Sequence, residues 1–301
     1  MENKRYLKIF NSQSDYATQK DEVMGVPHVV LLEDTKSMMY VKETQEEKKD
    51  YSKEYFTIEA LEDGFFVINA NADNFEEEVP TSFKYRLNGG DWVEILGNIS
   101  LSVIAHDKIQ ISCVNSSVCT FSPLFSSNIS FNAYGNTMSL LYGDEFIDKI
   151  EIFPYCFAGL FQETKIISAE NLILPATTLA VGCYSNMFLE CTSLTTAPEL
   201  LATTLEWTCY SQMFNGCTNL TTAPELLATI LIGDCYAYMF YCCSNLNYIK
   251  MLATSMDKIS LNNWVNGVAS SGIFIKNAAM TNLPNGGDGI PSGWTVQDYE
   301  E

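Results

Sequence analysis

Hydrophobic and polar positions in the second half of the chain follow one pattern that recurs every 26 residues. It reads CYSNMFLECTSLTTAPELLATTLEWT from Cys183, CYSQMFNGCTNLTTAPELLATILIGD from Cys209 and CYAYMFYCCSNLNYIKMLATSM from Cys235. A fixed period of this size marks units that bury their apolar faces against one another. Cys183, Met187 and Cys191 stand four residues apart, with Phe188 beside them, which predicts one buried stripe of a helix in each unit. Leu194 and Ala197 bracket Thr195 and Thr196 and predict a short strand. Pro198 and Pro224 cannot donate to a ladder and end that strand, and Leu201 and Leu205 return to the core. A degraded copy begins at Cys156, where Leu160-Phe161 matches Met187-Phe188. In the last unit Tyr248-Ile249-Lys250 replaces Thr-Ala-Pro, so the strand is expected to run on. Beyond Met251, SGIFIKNAAM and PNGGDGIPSGW predict closing strands and turns over the last apolar face.

The first half has other periods. Within residues 1–50, Tyr6–Phe10 alternates like a strand. Asn11 or Ser12 can cap a helix to about Val23 with Tyr16 on its inner face, and Pro27 stops it. His28–Leu32 and Met38–Lys42 predict a hairpin. The charged run Lys42–Glu54 lacks aliphatic residues and suits a solvated linker or an exposed helix. Residues 55–133 predict an all-β unit. Tyr55–Ile58 and Phe65–Asn69 are short strands, and Phe83, Tyr85 and Leu87 alternate up to Asn88-Gly89, a hairpin signal leading into Trp92–Ile95. Ile109 and Ile111 alternate again, which completes the spacing of a small β-sandwich.

Composition narrows the function classes. The chain has 301 residues, 47% hydrophobic and 12% aromatic, enough for two or three domains with real cores. Seventeen basic against 37 acidic residues give a net charge of −20. Such a surface repels nucleic acid and anionic membrane, so neither is expected as a partner. The start MENKRYLKIF lacks the apolar core of a signal peptide, and Val26–Leu32 and Ile152–Phe161 are too short for a membrane helix. The glycosylation-like triplets at Asn98, Asn115, Asn128 and Asn219 carry no weight without export.

Ten cysteines invite metal or disulfide chemistry, but most belong to the repeat. Their separations of eight and eighteen residues do not form the closely spaced pairs of thiolate metal sites. The histidines, His28 and His106, lie outside the repeats. Core thiols in a reducing compartment are expected, with no metal and no cofactor, and Cys242, in the place of Gly216, is expected as a surface or wedge substitution beside the core Cys243. Asp144, Glu145 and Asp148 fit an exposed acidic turn better than a catalytic carboxylate pair, and Gly286–Gly289 lacks the lysine and helix of a phosphate loop. No enzymatic function is expected. Outward positions line up between units as Thr195, Thr221 and Asn247, and as Thr196, Thr222 and Tyr248. They form a candidate partner-binding face, set against the plain fact that threonine suits an exposed strand. Tyr184, Tyr210 and Tyr236 form a further column, expected to pack.

The signature C-Y-x-x-M-F-x-x-C-x-x-L-x-x-A-P-x-L resembles the BspA-like leucine-rich repeats of gut Bacteroidetes and their phages. The flanks GNTMSLLYGDEF and KNAAMTNLPNGGDGIPSGWTVQDY and the preceding FTIEALEDGFF…FKYRLNGGDWVEI are similar to those of such arrays. Residues 1–50 resemble a short module at the start of virion proteins of crAss-like phages; Tyr6, Phe10, Tyr16, Pro27 and Tyr40 are its candidate docking residues. The expected fold is therefore α+β and multidomain: an N-terminal α+β module at 1–50, an Ig-like β-sandwich at 51–133 and a leucine-rich-repeat solenoid at 134–301. The resemblance implies a virion component such as a head fibre or capsid decoration, assembled in the host cytoplasm. It would be docked to other virion proteins through residues 1–50 and would present the repeats to host surface polysaccharide or mucin glycan, as a homo-oligomer. The alternative is a bacterial cell-surface adhesin.

Overall fold

The computed structural model describes residues 49–69, 82–95, 97–114 and 124–299, together with the backbone of 6–10, 28–32 and 37–41. The chain divides into two compact units, Met1–Asp50 and Tyr51–Glu301. In the first, β1 (Tyr6–Phe10), β2 (His28–Leu32) and β3 (Ser37–Val41) form one sheet in that order. β1 runs parallel to β2, and β2 pairs antiparallel with β3, Val30 opposite Met39. The expected hairpin is present. The expected helix to Val23, with Tyr16, and also Pro27, lies outside the described residues.

The second unit begins with two sheets packed face to face. One contains β4 (Thr57–Ala60), β6 (Phe83–Leu87), β7 (Val93–Ile95), β9 (Lys108–Cys113) and β11 (Phe131–Asn136), and the other β5 (Gly64–Ile68), β8 (Ile99–Val103) and β10 (Phe125–Ser127). Asn88 and Gly89 take φ of 52° and 73°, the left-handed pair that a tight hairpin turn requires, and Gly90 N–H closes the turn on the Leu87 carbonyl at 2.9 Å. Alternation drives Phe56, Ile58, Phe66, Ile68, Ile109, Ile111, Phe125 and Phe131 to full burial between the sheets. Each such side chain contributes about 1.5–3 kcal/mol of burial.

The repeats grow directly out of this layer. β11 pairs in parallel with β12 (Ile166–Ser168) and β13 (Leu172–Ile173) of the first coil. The Phe161 ring meets Phe56, Phe125 and Phe131 at 5.9, 5.7 and 6.3 Å, so the core is continuous from one part to the other. A short helix α1 (Ser139–Tyr142) and the turn after it brace the joint. There Asp144 accepts from Lys84 Nζ at 2.7 Å and from the Tyr55 hydroxyl at 2.9 Å. The Lys84 hydrogen bond holds the Asp144 carboxyl below the ordinary aspartate range.

The coils themselves are built from turns. Tyr184, Asn186 and Glu190 take φ of 61°, 55° and 56°, and Tyr210, Gln212 and Gly216 take 58°, 56° and 76°. Alternate N–H groups close local turns, Met187 on Tyr184, Leu189 on Asn186 and Cys191 on Phe188. The others point along the stack. Asn186, Phe188 and Glu190 donate to Ser211, Met213 and Asn215 at 2.9, 2.8 and 2.7 Å. Gln212, Phe214 and Gly216 donate likewise to Ala237, Met239 and Tyr241. Phe161, Phe188, Phe214 and Phe240 stack face to face at 5.2, 5.4 and 5.6 Å. A second column joins Phe157, Tyr184, Tyr210 and Tyr236. Both columns end on the buried Trp264, whose indole N–H donates to the Gly289 carbonyl at 2.8 Å.

This corrects the α+β class and the helix-bearing leucine-rich-repeat solenoid expected from the sequence. Among the described residues α1 is the only α-helix, and the remaining regular structure is almost all strand, in several sheets. The physical reason is the left-handed residues. A helix would spend every N–H inside its own segment, whereas the coil sends alternate N–H groups to its neighbour. Buried pairs recur here every four residues, as Cys183-Tyr184 and Met187-Phe188, too close to the helical period for so short a segment to tell the two apart. Leu201 is also corrected: it is exposed, and Leu200 takes its place in the core.

β14 (Ile230–Leu231) ends the coil that begins at Cys209, the last coil carries β15 (Tyr248–Met251) and β16 (Ser255–Met256), and the end is closed by β17 (Ile273–Asn277) and β18 (Thr295–Tyr299). β15, β17 and β18 form one parallel sheet, so the strand does run on where Tyr248-Ile249-Lys250 replaces Thr-Ala-Pro. Asp288 accepts the N–H of Asn263, and Gly287 that of Val265, which caps the final turn ribbon. Among the described residues no helix is long and apolar enough to cross a membrane.

Candidate binding surface of the repeat stack

The threonine columns sit where the coils should pair as strands. The Thr195 N–H and hydroxyl both donate to the Ile167 carbonyl, at 2.8 and 2.9 Å, and Ala169 N–H donates to Thr196 at 2.9 Å. One coil further on, Asn247 N–H donates to Thr221 and Ala223 N–H to Tyr248, both at 2.9 Å. Between these two ladders the pairing stops. Thr195, Thr196 and Ala197 make no backbone hydrogen bond to Thr221, Thr222 and Ala223 among the described residues. Pro198 and Pro224 stand in register just beyond, and neither has an N–H to offer.

A groove of about 520 Å³ lies at this break. Thr195, Thr196, Thr221 and Thr222 line it together with Leu200, Leu201, Leu227, Glu199 and Glu225. Lys250 holds Glu225 at 2.7 Å. The structure thus gathers four of the six candidate face residues into one concavity. Asn247 and Tyr248 continue the columns outside its lining. The Thr195 hydroxyl is already spent on Ile167, while those of Thr221 and Thr222 have no partner among the described residues. The groove can therefore offer hydroxyls, unpaired backbone and apolar side chains to a partner. Of the N-terminal candidates, Tyr6, Phe10 and Tyr40 lie on β1 and β3, and Tyr16 and Pro27 lie outside the described residues.

The cysteines are held in packing. Cys191, Cys217 and Cys243 donate to the carbonyls of Phe161, Phe188 and Phe214 in the preceding coil at 2.9, 3.1 and 2.9 Å, and Cys183 and Cys209 donate to Phe153 and Ala180 in the same way. Burial pushes the thiols of Cys191 and Cys235 up to about 12 and that of Cys209 up to about 11, away from the thiolate form that metals and electrophiles need. Cys242 is exposed. Asp144, Glu145 and Asp148 lie on an exposed turn, Asp144 bound to Lys84. Among the described residues no three His, Cys, Asp or Glu side chains are grouped to hold a metal.

Two features of the surface are not legible in the repeat pattern. The broken ladder depends on the facing of two coils, each of which alone looks like its neighbours. Trp207 is 55% exposed at a position where the adjoining coils carry Val181 and Gly233. A single bulky residue in a column of small ones was its only signal. Comparison with protein-family models, curated proteins and solved structures finds no match.

Proposed function

We propose that the chain is a non-enzymatic structural and binding protein of a bacteriophage particle, a head fibre, capsid decoration or similar appendage. Residues 1–50 dock it to other virion proteins, and the repeat stack faces outward to bind a host-surface partner. The observation that carries this reading is the division of the chain. A separate compact unit, Met1–Asp50, precedes a second unit whose coils offer a partly unpaired face. Stacked coils present surface instead of an enclosed cleft, which suits recognition. The resemblance of residues 1–50 to a virion module supplies the setting, with assembly in the host cytoplasm and a symmetric homo-oligomer on the particle.

The test is mass spectrometry of purified particles that carry the gene, with and without deletion of residues 1–50. The full chain is expected in the particle at a stoichiometry matching a structural protein, and the deleted chain is expected to be absent. Recovery from the surface of intact bacterial cells, with none in particles, would overturn the reading in favour of a bacterial adhesin.

A further inference from the structure

The turn ribbon of the coils has an outer face of its own. Met187-Phe188, Met213-Phe214, Met239-Phe240 and Trp264-Val265 are buried, and the residue on either side of each pair is not. Ladder bonds place these flanking residues in two columns. The N–H groups of Asn186, Gln212 and Tyr238 donate to Ser211, Ala237 and Asn262, each the residue just before the next member, so Asn186, Gln212, Tyr238 and Asn263 stand in line. The carbonyls of Asn215, Tyr241 and Asn266 accept from Glu190, Gly216 and Cys242, each just after the preceding member, which lines up Leu189, Asn215, Tyr241 and Asn266. Side chains join the columns. Asn215 Nδ2 donates to Gln212 Oε1 and Asn266 Nδ2 to Asn263 Oδ1, both at 3.4 Å, and the Tyr238 and Tyr241 rings meet edge to face at 5.7 Å. Asn263 Nδ2 also donates to the Tyr238 hydroxyl at 3.4 Å, from one coil to the next. The two columns are one continuous face.

In a chain of net charge −20, the eight positions of this face carry no charge: five are amides, two are tyrosines and one is leucine. Glu190 stands at its rim, laid over Gly216. Among the described residues Asn186 Oδ1 is buried with no hydrogen-bond partner. An amide sets a donor beside an acceptor and matches neighbouring hydroxyls on a sugar. A half-buried tyrosine adds a flat apolar ring with a polar end, which suits the C–H face of a pyranose. A nucleic acid or an anionic polysaccharide would need cations, and the face has none. A protein contact would need a wider apolar centre than Leu189 and two half-buried rings supply. Ring centroids of successive coils lie 5.2–5.6 Å apart, so an extended glycan along the stack would place about one sugar unit on each coil.

We propose that the outer face of the turn ribbon binds a neutral polysaccharide running along the stack, with Tyr238 and Tyr241 as its apolar contact and Gln212, Asn215 and Asn263 as partners of its hydroxyls. This rests on the reading of the stack as the outward, binding part of the protein, and it places the sugar on the ribbon instead of in the threonine groove.

The experiment titrates the full chain by calorimetry with gluco-, manno- and galacto-oligosaccharides of one to six units, and with oligogalacturonate as the anionic comparison. At least one neutral series is expected to bind, with affinity rising with length, and oligogalacturonate is expected not to. Tyr241→Ala is expected to weaken binding about tenfold or more, and Tyr241→Phe to retain most of it. Tyr238→Asn repeats the residue its column carries at Asn186 and Asn263 and suits the φ of 55° at this position, so it is expected to fold and to lose affinity likewise. Thr222→Val, in the groove, is expected to leave binding unchanged. The ribbon site is overturned if no neutral series binds, if both tyrosine variants bind like the parent, if oligogalacturonate binds most tightly, or if only Thr222→Val loses affinity. Loss of particle incorporation by a folded Tyr241→Ala chain would make the face a protein contact and sink the proposal. Particle composition separates this site from its setting. A chain present in particles that binds no series removes the site alone, and a chain absent from particles that binds as described removes the virion reading alone.

Discussion

Phe214→Ala is expected to destabilise the Tyr51–Glu301 unit by about 3–5 kcal/mol. Phe214 is fully buried and lies nearly parallel between Phe188 and Phe240, at 5.4 and 5.6 Å. The hole left by the ring has little room to collapse. Its own N–H is tied to Met239, and its carbonyl takes the Cys243 thiol at 2.9 Å, so the backbone on both sides stays in place. Stability in a stack is a sum of neighbour contacts, and Phe214 contributes to two of them. Chemical denaturation is expected to show an earlier transition, with the coils after Cys217 coming apart before the sheet layer. A loss below about 1 kcal/mol would mean that the ring column does not hold the coils together.

Gly135→Ala is expected to be as damaging, for a different reason. Gly135 lies on β11, where the sheet layer meets the first coil, with φ of 83°. An added Cβ would overlap the Tyr55 carbonyl oxygen and stand 2.9 Å from its carbon. The obstacle is backbone, so no side chain can swing away. The left-handed conformation alone costs an alanine about 1–3 kcal/mol, and separating β11 from residues 54–55 adds to it. Gly89→Ala is the control. Its φ is 73°, but nothing stands within 4 Å of the added carbon. Thermal melts are expected to place Gly135→Ala well below Gly89→Ala, or to find it unfolded. Equal stability of the two would show that the junction is not packed as described.

Much of this fold was legible in residue patterns. Asn88-Gly89 marked a true tight turn, and the alternation of Ile109 and Ile111 marked a buried strand face. The period of 26 residues marked coils whose Cys, Met, Phe and Tyr columns are buried in register. Tyr248-Ile249-Lys250 in place of Thr-Ala-Pro marked the point where a ladder resumes. The conformation within the coil was not legible. Cys183, Met187 and Cys191 are buried together whether the segment is a helix or a ribbon of turns, because four-residue spacing satisfies both. Asn186, Gly182 and Gly216 were the available hints, since these residue types tolerate positive φ. Tyr184 and Gln212 take the same conformation without any such signal, imposed by bonds from coil to coil. On the surface, aligned threonines could be read from the repeat. The missing pairing that opens their groove exists only between coils.

The central claim is that each repeat is a ribbon of turns with alternate left-handed residues. Position 190 tests it directly. Glu190 is exposed, has φ of 56°, and occupies the place that Gly216 fills in the next coil. Glu190→Gly and Glu190→Ala both remove the side chain, so their difference reports the backbone alone. At a left-handed residue glycine avoids a penalty of about 1–2 kcal/mol. In a helix glycine costs about 1 kcal/mol relative to alanine. The measurement is the difference in unfolding free energy between the two variants. The turn ribbon predicts that the glycine variant is the more stable. A more stable alanine variant would contradict it and return the repeats to helices.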